Sequence, residues 1–315
     1  MPQGKQAICI SLFAALFALL SGCSVSVRPF FDASEISDQE MPAQEMPAQE
    51  TSAAIAQNTA MTHATYDLPQ ATVHIVKINP DAATFSIALA NQLETVEAIA
   101  RQQNAAAAIN AGFFDPQNGK TTSYLFSEGQ LIGDPANNER LMENLDLQQY
   151  LPSILNRSEF RHYRCSQPDG EFDEYAIARR SDLAPPGCQL HSAIGGGPQL
   201  LPTDTSAAEA FTDTQNGELI RDAIGSIGAN ARSAIGIINS TEEIVLIMAA
   251  QREDAPGFTL KEMTDFSETL GVTSLLNLDG GSSSSLYYSD QTYLAKQDAE
   301  GNPIERPVKS VIVFK

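Results

Sequence analysis

Thr84-Phe85-Ser86-Ile87-Ala88-Leu89 alternates polar and apolar residues, the period of a strand with one buried face. Residues 71–78 read as its partner across the Asn79-Pro80-Asp81 turn. A short helix over 95–103 leads into 105–109, which is small and apolar enough for a buried strand. Residues 233–238 and 243–249 form a hairpin around Asn239-Ser240-Thr241. Thr259-Leu260-Lys261-Glu262 fits a capping box, in which the hydroxyl and the carboxylate each satisfy a backbone donor of the other residue. Leu260, Met263, Phe266 and Leu270 share the buried stripe of the helix that follows, and Gly271 ends it. An apolar strand runs over 272–278, and 308–314 is apolar on both faces, so its place is inside a sheet. Together these elements predict an α+β fold: a single mixed-sheet domain over 66–315 with flanking helices.

Before residue 66 the pattern changes. Lys5, an apolar run over 7–20 and Leu20-Ser21-Gly22-Cys23 read as a secretory signal, residues 1–22, with a small-residue cleavage site. The run is short for a membrane span. Leu-Ser-Gly-Cys also resembles a bacterial lipobox, which makes Cys23 the expected lipid anchor, with the membrane as a partner through its acyl chains. Ser24 after that cysteine, by the same resemblance, favours the outer membrane facing the periplasm. Residues 23–65 are rich in Ala, Gln, Glu, Pro, Ser and Thr and contain Met-Pro-Ala-Gln-Glu twice in tandem. Such a segment buries too little apolar surface to offset its chain entropy, and it is expected to be a disordered tether.

The chain carries a formal net charge of −20, and its basic residues do not cluster, so nucleic acid is excluded as a partner. Of the four cysteines, Cys9 leaves with the signal and Cys23 is acylated. Cys165 and Cys188 remain, and in an oxidising compartment a disulfide between them is worth about 3 kcal/mol. The charged, Pro- and Gly-containing stretch between them reads as a surface insertion. No Cys-x-x-Cys, paired-histidine spacing or EF-hand loop occurs, so no metal site and no cofactor are assigned. The carboxylates and serines do offer hard oxygen ligands of the kind a divalent metal takes. His63, His74, His162 and His191 lack a Gly-x-Ser-x-Gly elbow, so a Ser-His-Asp reading has no support.

Four polar or glycine-rich clusters interrupt the pattern: 110–115, 195–198, 232–236 and 277–285. In the last, Gly280 and Gly281 let backbone N–H groups converge on an anion, and the serines add neutral donors. Asp279 beside them is a candidate acid, base or ligand, or the residue of a plain tight turn. Arg232 presents a planar fork suited to phosphate. Phe113 and Phe114 read as core or pocket wall.

In this order, Ala108-Ile109-Asn110-Ala111-Gly112-Phe113-Phe114, Gly196-Gly197-Pro198, Arg232-Ser233-Ala234-Ile235-Gly236 and Asn277-Leu278-Asp279-Gly280-Gly281-Ser282-Ser283 resemble the phosphodiester glycosidase family. Arg306-Pro307-Val308 before the last strand resembles the family's ending. The resemblance implies hydrolysis of a sugar-1-phosphate diester at its glycosidic C–O bond, with a sugar phosphate or phosphoglycan as substrate. It implies Asp279 as the carboxylate, and Arg232 with the Gly280 and Gly281 backbone as phosphate clamp. Ser283 and Ser284 would be accessory donors, Asn110 would hold a sugar hydroxyl or phosphate oxygen, and Gly112 and Gly197 would border the substrate. Two positions depart from the pattern. Ala111 replaces a glycine, and Ala250-Gln251-Arg252 stands where members often have Asp-Gly-Arg. The missing acid motivates an alternative, a noncatalytic glycan-phosphate binding lipoprotein of the envelope.

Overall fold

The computed structural model describes residues 60–315, so the signal, Cys23 and the linker up to residue 59 lie outside the described residues. In chain order come β1 (Met61–Asp67), β2 (Thr72–Ile78), β3 (Phe85–Glu94), α1 (Val96–Gln102) and β4 (Ala107–Asn110). Then follow β5 (Leu125–Ser127), β6 (Gln130–Gly133), α2 (Glu139–Met142), α3 (Leu151–Ile154), β7 (Ser158–Gln167), β8 (Gly170–Arg179) and β9 (Cys188–Gly195). The remainder is β10 (Gln199–Leu201), β11 (Thr212–Gln215), β12 (Glu218–Asp222), β13 (Arg232–Ile238), β14 (Glu243–Ala250), α4 (Leu260–Thr269), β15 (Ser274–Asn277), β16 (Ser285–Tyr288), β17 (Gln291–Leu294) and β18 (Val308–Phe314).

Three large sheets result, ordered β1-β2-β14-β13-β15-β10, β17-β16-β4-β18-β3 and β6-β5-β9-β7-β8, with β11-β12 as a separate ribbon. The first two pack face to face. Alternation along each strand decides which residues meet: Val76, Ile235, Leu246 and Met248 of the first sheet join Ile87, Ile109, Leu286 and Ile312 of the second in one core. On the far side of the first sheet Ile75, Ala234, Val245 and Ile247 pack under Leu260 and Met263 of α4. On the far side of the second, Ala108, Val311 and Val313 pack under Val96, Ile99 and Ala100 of α1. Two sheets with a helix outside each explain why β13, β14 and β18 are apolar on both faces. The third sheet adds Leu125, Phe160 and Ile194 to the central core.

The mixed-sheet, α+β expectation is corrected. Every ladder of the three sheets is antiparallel, and strand takes up 46% of the described residues against 14% helix, so the molecule is mostly β. The pairing of β2 with β3 also fails. The Pro80–Ala82 turn carries the chain out of one sheet into the other, where β3 pairs with β18. Strand β1 pairs with β2 from Met61 onward, so ordered structure reaches into the stretch expected to be linker. The stretch between Cys165 and Cys188, read as a surface insertion, lies at the surface and contains the edge strand β8, which pairs with β7; the disulfide joins facing residues of β7 and β9. The helix starting after Thr259, its capping box and the β13–β14 hairpin stand as read. No helix among the described residues is long and apolar enough to cross a membrane.

Candidate active site

Strand β15 ends at Asn277 in the first sheet and β16 begins at Ser285 in the second, so residues 278–284 form the crossover between the packed sheets. Each sheet fastens it. The Leu278 N–H donates to Ser233 O at 2.9 Å, and the Asp279 N–H donates to Ala111 O at 3.0 Å. Between them lies Asn110, fully buried at the end of β4. Its Nδ2 donates to the Asp279 carbonyl at 2.6 Å, and its Oδ1 accepts from the Ser233 hydroxyl at 2.7 Å and the Ser285 N–H at 3.1 Å. Only a primary amide offers donor and acceptor together in that shape. Asn110 therefore positions the crossover. The expectation that it grips a sugar hydroxyl or phosphate oxygen is corrected, because no part of it is open to a ligand.

Arg232 is corrected in the same way. It is 2% exposed, and its guanidinium donates to four backbone carbonyls: Phe258 at 3.1 Å, Ile224 at 3.0 Å, Gly225 at 2.5 Å and Gly228 at 2.8 Å. Burial pulls its pKa down while Asp222 pulls it up. The fork holds the loop after β12 against the start of α4; it is not free for phosphate. The backbone of Gly280 and Gly281 is also occupied, since Gly280 N–H donates to Asp279 Oδ1 at 3.0 Å and Gly281 N–H to Ala231 O at 2.8 Å. Gly281 is needed for its φ of +63°. Ser283 and Ser284 are fully buried.

Gly112 is buried, and a Cβ there would lie 2.9 Å from Ser123 Cβ. At Gly197, with φ +118°, it would lie 2.5 Å from Glu209 Oε2. Both glycines permit close packing. Gly197 nonetheless ties its motif to the crossover: its N–H donates to Asn277 O at 2.7 Å, and Asn277 Nδ2 donates back to Gly197 O at 2.8 Å. All four clusters thus converge on one crossover, mostly as its scaffold.

What remains partly exposed is Asp279, Gly280, Gly281 and Ser282. Two cations missed by the sequence reading flank this edge. The half-buried Arg306 donates from Nη1 to Ser282 Oγ at 3.1 Å and lies over the Phe114 ring at 5.1 Å. Lys296 donates to Asn230 Oδ1 at 3.1 Å, next to the Ala231 carbonyl that holds Gly281. Both come from the segment joining β17 to β18, which folds back on itself through the Ile304 N–H to Lys296 O bond of 2.8 Å. Burial raises the Asp279 pKa to about 6, opposed by the Ser283 hydroxyl, the Arg306 charge and the Gly280 N–H. A carboxylate of that pKa is ionised at neutral pH yet close to exchanging its proton, as an acid–base group should be.

Ala250, where an acid was noted as missing, closes β14 with its methyl packed into the central core. Among the described residues, the grouping of metal-ligating types is Cys165, Glu174 and Cys188, whose thiols are consumed by the disulfide.

The sequence matches the family model for phosphodiester glycosidases over residues 103–315. Among solved structures, the fold is similar to the catalytic domain of zebrafish N-acetylglucosamine-1-phosphodiester alpha-N-acetylglucosaminidase, auto-inhibited by its pro-peptide: TM-score 0.58, 17% identity, covering 82% of this chain and 84% of that one. It is also similar to a hypothetical protein from Synechocystis, with TM-score 0.53 and 18% identity over 81% of this chain and 62% of that one. No protein of curated function matches the sequence. Four convergent motifs, the shared fold and the match over most of the chain place this protein in the phosphodiester glycosidase family.

Proposed function

We propose that the protein hydrolyses a sugar-1-phosphate diester at the bond between the anomeric carbon and the phosphate oxygen. The observation that carries this is Asp279: an ionisable carboxylate held rigidly at the sheet crossover, beside Arg306 on an otherwise strongly acidic chain. Arg306 and Lys296 hold the phosphate oxygens. Asp279 faces the anomeric centre, where its negative charge stabilises the developing oxocarbenium ion or takes a proton from the attacking water. Water adds to the anomeric carbon, the C–O bond breaks with its electron pair going to phosphate, and the products are the free sugar, a phosphate monoester and a proton. A phosphate leaves readily, so a second carboxylate acid is unnecessary. The zebrafish enzyme's name supports the substrate class. Export and anchoring through Cys23 belong to the same proposal, with an envelope phosphoglycan as substrate.

A second reading, a glycan-phosphate binding protein without turnover, is favoured by the methyl of Ala250 at the position of the family's acid. Release of sugar and monoester from a panel of sugar-1-phosphate diesters, lost in Asp279→Asn and Arg306→Ala, supports the hydrolase. Tight binding with no product from any diester, with or without divalent metal, supports the second reading instead.

A further inference from the structure

A cleft of about 1250 Å³ among the described residues does not include Asp279. It opens at the other end of both packed sheets. Asn239 and Glu242, which line it, flank the β13–β14 turn, whereas the crossover lies beside Arg232 at the start of β13. Phe85 and Lys315 line it too, while Asn110 sits at the opposite end of the β4–β18 ladder. The seven residues of β13 alone separate the two ends by about 20 Å.

Its wall is built from the third sheet. Tyr175, His162 and His191 form a stack, with ring centroids 4.7 Å apart at 10° and 5.1 Å apart at 18°. The middle ring, His162, is 5% exposed; its Nε2 lies 2.9 Å from Asp173 Oδ1, and its Nδ1 makes no hydrogen bond. Burying an unmatched polar group costs about 1–3 kcal/mol, a cost that a core ring of another type would avoid. Around the stack, Glu128, Glu171, Asp173 and Glu242 outweigh Arg164 and Lys315. That lining repels phosphate. It suits a ligand with many neutral hydroxyl donors, because a hydroxyl donating to a carboxylate contributes about 1.5–3 kcal/mol.

We propose that this cleft is a second glycan site, which binds an unphosphorylated oligosaccharide beside the Tyr175–His162–His191 stack, its hydroxyls donating to the carboxylates of Glu128 and Asp173. It needs no contribution from Asp279 and stands whether or not the crossover is catalytic. With both sites occupied, the protein holds a phosphoglycan by its neutral sugars at one end of the domain and acts on a diester at the other.

The test is calorimetric titration of the full-length protein with cellotriose, maltotriose and the N-acetylglucosamine trimer, in wild type, His191→Ala, Glu128→Gln and Asp279→Asn. Glu128 is exposed on a turn, so its variant keeps the fold even if His191→Ala loosens the stack. Binding of at least one trisaccharide, weakened about tenfold by Glu128→Gln and unchanged by Asp279→Asn, supports the site. No binding by any of the three up to about 10 mM overturns it, and so does binding that Asp279→Asn abolishes while Glu128→Gln leaves it intact.

Discussion

The buried amide of Asn110 donates to the backbone carbonyl of Asp279 at 2.6 Å, across 169 residues of sequence. One side chain thereby fixes the position of the carboxylate without touching it. Asn110→Ala leaves the Ser233 hydroxyl and the Ser285 N–H without an acceptor, at about 1–3 kcal/mol for each buried group. The expected outcome is a lower melting temperature together with a kcat reduced about 10–100-fold, since small misplacements of a reacting group carry that penalty. A variant that unfolds earlier but retains full kcat at a permissive temperature contradicts the positioning role.

Asp279→Asn separates catalysis from stability. Because burial raises this pKa from 3.8 to about 6, the native state binds the extra proton between those values, and stability falls as pH rises through that window. Above pH 6 the full cost of the ionised group is present; below about pH 4 it is absent. At pH 7 the asparagine variant should therefore be more stable by about 1–3 kcal/mol, with the difference vanishing near pH 4, while turnover drops about 10³-fold or more. Denaturant melts at both pH values check the first part.

The same protonation predicts the rate profile. If the ionised carboxylate acts, kcat/KM climbs with an apparent pKa of about 6 and then levels off. A rate that falls through pH 6 instead makes Asp279 the proton donor and overturns the assignment given above.

Two arginines beside the crossover should fail differently. Arg306→Ala removes a half-buried charge that bonds to one hydroxyl, so binding and turnover suffer, by about 10²-fold in kcat/KM, with little change in melting temperature. Arg232→Met orphans four carbonyls and should cost about 3–5 kcal/mol of stability. Equal thermal shifts in the two variants would falsify this division of roles.

Much of the fold was legible where a pattern is local. The capping box needs only Thr259 and Glu262, and the buried character of β18 needs only its own residues. The β2–β3 hairpin was misread because alternation says that a strand has one buried face, without saying which sheet supplies the partner. At the site, the four motifs located the crossover, but residue type does not reveal direction. Asn110 and Arg232 are polar residues at strand ends, as a ligand clamp would be, yet both turn inward and spend their donors on backbone. Arg306 and Lys296 lie in irregular chain where neither periodicity nor the glycine clusters point. The one sequence signal is Arg306-Pro307 directly before the final strand, part of the resemblance to the family's ending.

The disulfide lies at the far end of β7 from the crossover, beside Glu174, with Ser158 at the crossover end of the strand. Cys188→Ser should lower stability by about 3 kcal/mol while leaving kcat of the folded fraction unchanged, measured by turnover against folded protein.

The strand order of the second sheet sets when this molecule becomes competent. β4 lies between β16 and β18, so neither of its edges is filled until chain far downstream of it arrives; Asn110 meets Ser285 only 175 residues later. Pairings that distant slow folding, since chain must be closed into large loops before any contact rewards it. A molecule that turns over substrate has necessarily brought its last strands to both flanks of β4. Until they arrive, Ala107-Ala108-Ile109 has no partner on either side, so the arrangement that fixes the carboxylate also leaves an apolar strand open to pairing with neighbouring chains.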